Sequence, residues 1–201
     1  MDFRSFLRAY IDQQARPVHK IGHQHRLYAL TQRIGRGLVF DDDAVFAAVY
    51  LHDLGVFVGH RPEDPDLLSR WDHVAYATAK SPSILRQAGF PEHKIDRVLQ
   101  IIREHQPGDE PGSLESEIVR DADILEQLGA IGCLRTAAKL GNDTRFATFA
   151  DVHQSLQRAL SILPSRLRLP AAQGLAEPKI AALRHFLLSL EAESPPDFQE
   201  V

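Results

Sequence analysis

Apolar residues recur along this chain at spacings of three and four, the period of a helix with one buried face. Phe3, Phe6, Leu7, Tyr10 and Ile11 trace a first helix, which Pro17 closes. From about His19 to Ile34, the residues His19, His23, Leu27, Leu30 and Ile34 share a face. His23 therefore looks inward, and His25, about 200° round the helix, faces solvent. Gly35 and Gly37 break the run, and Asp41-Asp42-Asp43 reads as the N-cap and dipole complement of the next helix. That helix is apolar up to Ala47-Ala48-Val49-Tyr50-Leu51-His52-Asp53-Leu54-Gly55, where Gly55 supplies a stop.

Residues 56–70 contain Gly59, Pro62 and Pro65 and read as a loop, either a plain surface loop or a lid carrying His60 and Arg61. Asp72 caps a helix bearing His73, Val74, Tyr76 and Ala77; Ser81-Pro82 is expected to restart it and Gly89 to end it. Ile95, Val98, Leu99, Ile102 and His105 line one side of a helix from Glu92 to Glu104, so His105 leans toward the core. A loop at 106–113 precedes predicted helices at Leu114–Leu128, Ile131–Leu140, Phe146–Leu160 and Leu175–Leu190. Pro164 to Pro178 reads as a connector, and the tail from Ser194 as frayed. No period-two strand and no repeat interrupts this pattern. The expectation is one all-α domain over 1–201 of about eight or nine helices, with helices at 146–191 packed on a core at 19–136.

Composition narrows the possibilities. Of 201 residues, 44% are hydrophobic and 25% charged, which is ordinary for a globular protein. A net charge of -4 argues against nucleic acid as a partner. No apolar run approaches membrane-spanning length, and Met1-Asp2-Phe3-Arg4 begins an amphipathic pattern, not a signal peptide. The single cysteine, Cys133, excludes an internal disulfide and reads as a core residue. A cytoplasmic location is expected. There is no Gly-rich phosphate loop, Gly-x-Ser-x-Gly elbow or Cys-x-x-Cys pair.

The chemistry lies with the histidines, ten in all. A carboxylate beside a histidine at the end of a buried helix needs a cation or donors to offset its burial. A divalent metal would serve, because neutral imidazole and carboxylate are common ligands for Zn, Mn or Fe. A C-capping His52 beside a solvated Asp53 is the other reading of the dipeptide. His23, the pair His52-Asp53 and Asp123 are inward acids and histidines on three helices, with His73 and His105 between them in the chain. Asp121 and Asp123 point about 160° apart and cannot both face one site.

The ordered set His23, His52-Asp53 and Asp123 resembles the HD superfamily of metal-dependent phosphohydrolases. His23-Gln24-His25-Arg26-Leu27 matches the opening His-x-x-Arg-hydrophobic pattern of that family. Asp121-Ala122-Asp123-Ile124-Leu125, followed by Gly129-Ala130-Ile131-Gly132 and Arg135, resembles the closing segment of its small bacterial members. The resemblance implies a helical fold with His23, His52, Asp53 and Asp123 around one divalent metal (Mn, Fe, Mg, Ni or Zn). Asp123 is preferred to Asp121 because the family's last ligand sits in an Ala-Asp-x-Leu setting. His73 and His105 fall where some relatives bind a second metal and others contact phosphate, so Asp53, His73 and His105 are the expected catalytic groups. The glutamate that some relatives carry just after the His-Asp pair is missing, with no acid before Glu63. The implied substrate is a nucleotide or other small phosphate ester or anhydride. Two other readings stand beside this one: a di-iron oxygenase of the same superfamily, which needs all six residues, and a catalytically silent metal-binding or scaffold module.

Overall fold

The structure, a computed structural model, describes residues 2–17 and 20–193. Among them are ten α-helices: α1 Phe3–Gln14, α2 His23–Ile34, α3 Asp42–Leu51, α4 Pro65–Ser69, α5 His73–Gln87, α6 Ile95–Arg103, α7 Leu114–Glu126, α8 Gly129–Ala137, α9 Phe149–Ile162 and α10 Pro170–Glu193. The described residues contain no strand, only an isolated bridge between Val58 and Arg61. The fold is all-α. None of its described helices is long and apolar enough to cross a membrane. The backbone gathers into two compact units, residues 1–122 and 123–201, divided within α7.

The first unit is built around α3. Every residue from Ala44 to Leu51 is buried, as an all-round apolar helix requires. α1, α2, α5 and α6 pack against it. Asp41 caps α3 by accepting the Ala44 N–H at 3.2 Å. Its neighbours do more than cap. Arg4 of α1 donates to Asp42 at 2.7 Å and to Asp43 at 2.6 Å, and Lys94 donates to Asp41 at 3.0 Å. The acidic triplet thereby ties α1 and the approach to α6 onto the start of α3, which a capping role alone does not foresee.

Three boundaries in this unit differ from the sequence pattern. α2 begins at His23 because Gly22 takes a left-handed conformation (φ 83°) at its N-cap; the expected start at His19 lies outside the described residues. The stretch read as loop contains α4, capped by Asp64, which accepts the Asp66 and Leu67 N–H groups. α5 does not restart at Ser81-Pro82 but runs unbroken to Gln87. Pro82 forfeits one intrahelical bond, at about 3 kcal/mol, and Ser81 turns its hydroxyl to the Ala77 carbonyl at 2.7 Å. Burial of Ala77, Ile84 and Leu85 outweighs that loss at about 1.5–3 kcal/mol per large aliphatic side chain. Gly89, at φ 72°, then ends the helix as expected.

In the second unit α8, α9 and α10 pack on one another. Thr148 and Asp151 form a reciprocal capping box at the start of α9. The expected connector from Pro164 to Pro178 is mostly helix: after a 3-10 turn at Pro164–Arg166, α10 runs from Pro170 through Pro178 to Glu193. Ala172, Ala176, Leu183 and Leu187 give it a continuous buried stripe on both sides of the proline. Cys133 is buried, as a core residue. The tail from Ser194 lies outside the described residues.

Candidate metal centre

α3 stops at Leu51, and His52 caps it with its own N–H on the Ala48 carbonyl. Asp53 follows, then a 3-10 turn over Leu54–Val56. The His52 side chain is 1% exposed, and its Nδ1 lies 2.9 Å from the Val49 carbonyl oxygen. A carbonyl can only accept, so Nδ1 carries the hydrogen, and a ring that gives up its Nε2 proton to bind an ion would present its lone pair there. His105, just beyond α6, repeats the device: its Nδ1 is 2.7 Å from the Ile102 carbonyl oxygen. Anchoring one ring nitrogen on a backbone carbonyl is how metal-binding histidines are commonly held.

These rings surround one carboxylate. His23 Nε2 lies 3.7 Å from Asp53 Oδ2, and His52 Nε2 lies 3.7 Å from Asp53 Oδ1. Ring centres are 5.4 Å apart for His23 and His52, 4.8 Å for His52 and His105, and 6.1 Å for His73 and His105. Two triplets have ligand atoms within 4.8 Å of one another: His23, His52 and Asp53, and Asp53, His73 and His105. Asp53 belongs to both. Burial alone would raise its pKa; the positive potential of His52, His23, Lys20 and His105 outweighs burial and holds it well below the ordinary carboxylate range. Two imidazole lone pairs beside an anionic oxygen donor fit a divalent ion such as Zn, Mn or Fe, whose bonds of ~2.0–2.2 Å such spacings can accommodate.

His73 reaches this cluster because α5 starts very close to the turn after Asp53. A Cβ on Gly55 would meet the His73 carbonyl oxygen at 2.7 Å and its Cα at 2.8 Å. Trp71 fastens the same approach, its indole N–H donating to the Gly55 carbonyl at 2.8 Å.

The pattern of the HD domain family matches residues 21–128, more than half of the chain. The chain belongs to the HD domain family. Solved structures agree in fold. Bacillus subtilis YpgQ in complex with ADP is 21% identical with a TM-score of 0.71, over 96% of this chain and 98% of that one. An HD-superfamily hydrolase from Bacillus thuringiensis is 21% identical with a TM-score of 0.67, over 95% and 94%. A predicted HD superfamily hydrolase from an uncultured Thermotogales bacterium is 21% identical with a TM-score of 0.62, over 95% and 90%. No curated protein matches the sequence.

The other expected site residues of this HD domain fall as follows. Asp121 is fully buried, 3.6 Å from Arg120 Nη1. Asp123 opens the second unit, is half-buried, and accepts from Gln127 Nε2 at 3.1 Å. His25 faces outward and meets Asp12 at 3.3 Å and the Tyr50 hydroxyl at 2.9 Å. Of the two readings of the loop, the contacts of His60 fit the structural one: Nδ1 meets the Tyr76 hydroxyl at 3.0 Å and Nε2 meets Gln14 Oε1 at 2.9 Å, tying the loop to α1 and α5.

One residue of the site region escaped the sequence reading. Arg120, 1% exposed in α7, donates to the carbonyls of Gln106 at 3.2 Å and Pro107 at 2.7 Å. It holds the loop that directly follows His105. Its signal is a cation in the apolar run Ile118-Val119-Arg120-Asp121-Ala122, where only a partnered guanidinium can be buried.

Proposed function

We propose that this protein is a metal-dependent phosphohydrolase acting on a nucleotide or another small phosphate ester or anhydride in the cytoplasm. The observation that carries the reading is Asp53, an anionic carboxylate shared between the His23–His52 pair and the His73–His105 pair. His23, His52 and Asp53 would hold the ion; the sequence pattern alone adds Asp123 as a closing ligand. When bound, a divalent ion polarises a phosphoryl oxygen and lowers the pKa of water toward neutrality. Asp53 orients the attacking water through its carboxylate. His105, with Nδ1 fixed on the Ile102 carbonyl, has only Nε2 with which to meet substrate. Protonated there, it stabilises charge on a phosphoryl oxygen or gives a proton to the leaving oxygen. His73, half-exposed at the start of α5, is placed to share that task. YpgQ, a neighbour in fold, has been crystallised with ADP, which supports a nucleotide substrate.

The second triplet also favours one other reading, a di-iron oxygenase, in which His73 and His105 bind a second ion. Metal analysis of the purified chain, followed by a phosphate-release screen across nucleotides, separates the two. We expect at least one divalent ion per chain and metal-dependent phosphate release. Asp53→Ala should lose metal and activity while keeping its helical circular dichroism. His105→Ala should keep its metal and slow by roughly 10²–10⁴, the range for one acid–base group. Two irons per chain with oxygen-dependent turnover would establish the oxygenase. Wild-type phosphate release by Asp53→Ala would end the hydrolase reading.

A further inference from the structure

Beside His73 the surface opens into a pocket of about 560 Å3. Ser69, Arg70, Trp71, Asp72, His73 and Val74 form one wall, and Arg103, Gln106 and Asp109 the other. Its charged groups divide into two kinds. Both acids are engaged with backbone donors: Asp72 accepts the Ala75 N–H at 2.9 Å, and Asp109 accepts the Gln106 N–H at 2.8 Å. Arg103, the last residue of α6, is exposed, and its guanidinium helps to hold the neighbouring Glu104 carboxyl below its ordinary range. Arg70 is exposed and makes only a long bond, 3.4 Å, from Nε to the Asp66 carbonyl. The first turn of α5 is already complemented by the Asp72 carboxylate at its N-cap, so the cations of this wall and its opposite are the two arginines. Trp71 cannot offer its indole N–H to a ligand, because Gly55 takes it. What remains is a cavity with two exposed guanidiniums, opening onto one of the histidines around Asp53.

We infer that this pocket seats a second anionic group of the substrate, a phosphate separate from the one that reacts, with Arg70 and Arg103 as its cations. The inference rests on the phosphohydrolase reading and deepens it. The substrate class becomes compounds with two or more phosphate groups, and phosphomonoesters with one anionic group become poor substrates. Guanidinium suits the task, since its planar fork pairs two N–H groups with two phosphate oxygens.

The test titrates the full-length chain and its Arg70→Gln/Arg103→Gln variant calorimetrically with ADP, tripolyphosphate, orthophosphate and adenosine. Both side chains are exposed, so the variant should fold as the wild type does. We expect ADP and tripolyphosphate each to bind the variant roughly tenfold or more weakly, as loss of charge-assisted hydrogen bonds implies. Orthophosphate should bind both proteins alike, and adenosine should bind neither appreciably. In turnover, the variant should show a raised KM for ADP and an unchanged kcat/KM for p-nitrophenyl phosphate. Equal ADP affinity in the two proteins, or no ADP binding by the wild type, overturns the inference. If ADP affinity depends on the arginines but no phosphate compound is hydrolysed, the pocket stands and the hydrolase reading falls.

Discussion

Gly55 shows how one residue places another. The sequence pattern reads it as a helix stop. The structure gives it a different task, because its missing Cβ is what lets the His73 backbone come so close to the turn after Asp53. Gly55→Ala must push the start of α5 away or strain the turn, costing about 1–3 kcal/mol as overpacking does. Urea unfolding should show the loss, and phosphate release should fall with it, since His73 moves. Gly108 is the control. It has open space around it and no left-handed backbone, so Gly108→Ala should stay within about 0.5 kcal/mol. An unchanged urea midpoint for Gly55→Ala would mean that the turn yields freely. His23, His52, Asp53 and His105 were legible because each sits on or ends an apolar stripe. Gly55 and Arg120 were not, because their reasons lie in chain segments far away in sequence.

Among the elements, the helical period located nearly every helix, and apart from the start of α2 at Gly22 the larger errors fall at prolines. Ser81-Pro82 and Pro178 look like boundaries, yet α5 and α10 pass through them. Local propensity marks where a helix is cheap to end, whereas burial on both sides of the proline decides whether it does. The connection between α8 and α9 has its own electrostatic lock. Arg145 donates from Nε and Nη2 to the Asp143 carboxylate at 3.0 and 2.7 Å, holding its pKa at about 2, against an ordinary 3.8. A depressed acid stabilises the folded chain above its unfolded pKa and loses that effect as pH falls toward its folded one. The contribution should therefore fade between about pH 4 and pH 2. Arg145 is largely exposed, and screening limits the effect at neutral pH to about 1 kcal/mol. Asp143→Asn should be less stable than the wild type at pH 7 and indistinguishable from it near pH 2, by thermal melts across that range. A constant gap at every pH would assign the loss to packing instead.

At the scale of the whole molecule, the helical class and the HD family were both legible, the family from His-Asp dipeptide, opening histidine and closing Asp-Ala-Asp segment together. The donors around Asp53 come from the start of α2, the end of α3, the start of α5 and the end of α6. No local segment holds more than two of them, so an unfolded chain offers no comparable site. An ion at this place is therefore a cross-link as well as a reagent. Held by His23, His52 and Asp53, it would join the start of α2 to the end of α3, as a covalent bridge would, and bind only when they have met. Mass action gives the consequence: metal at 100 times its Kd adds about 2.7 kcal/mol to the folded state. For a chain of this size that is a rise of about 5–10 °C in melting temperature. Scanning calorimetry with Mn, Fe, Ni, Zn or Mg at equal concentration should rank the ions by their shifts, and EDTA should abolish every shift. Asp53→Ala should melt at one temperature whatever ion is added. If it instead follows the wild type ion by ion, the cross-link lies elsewhere in the chain.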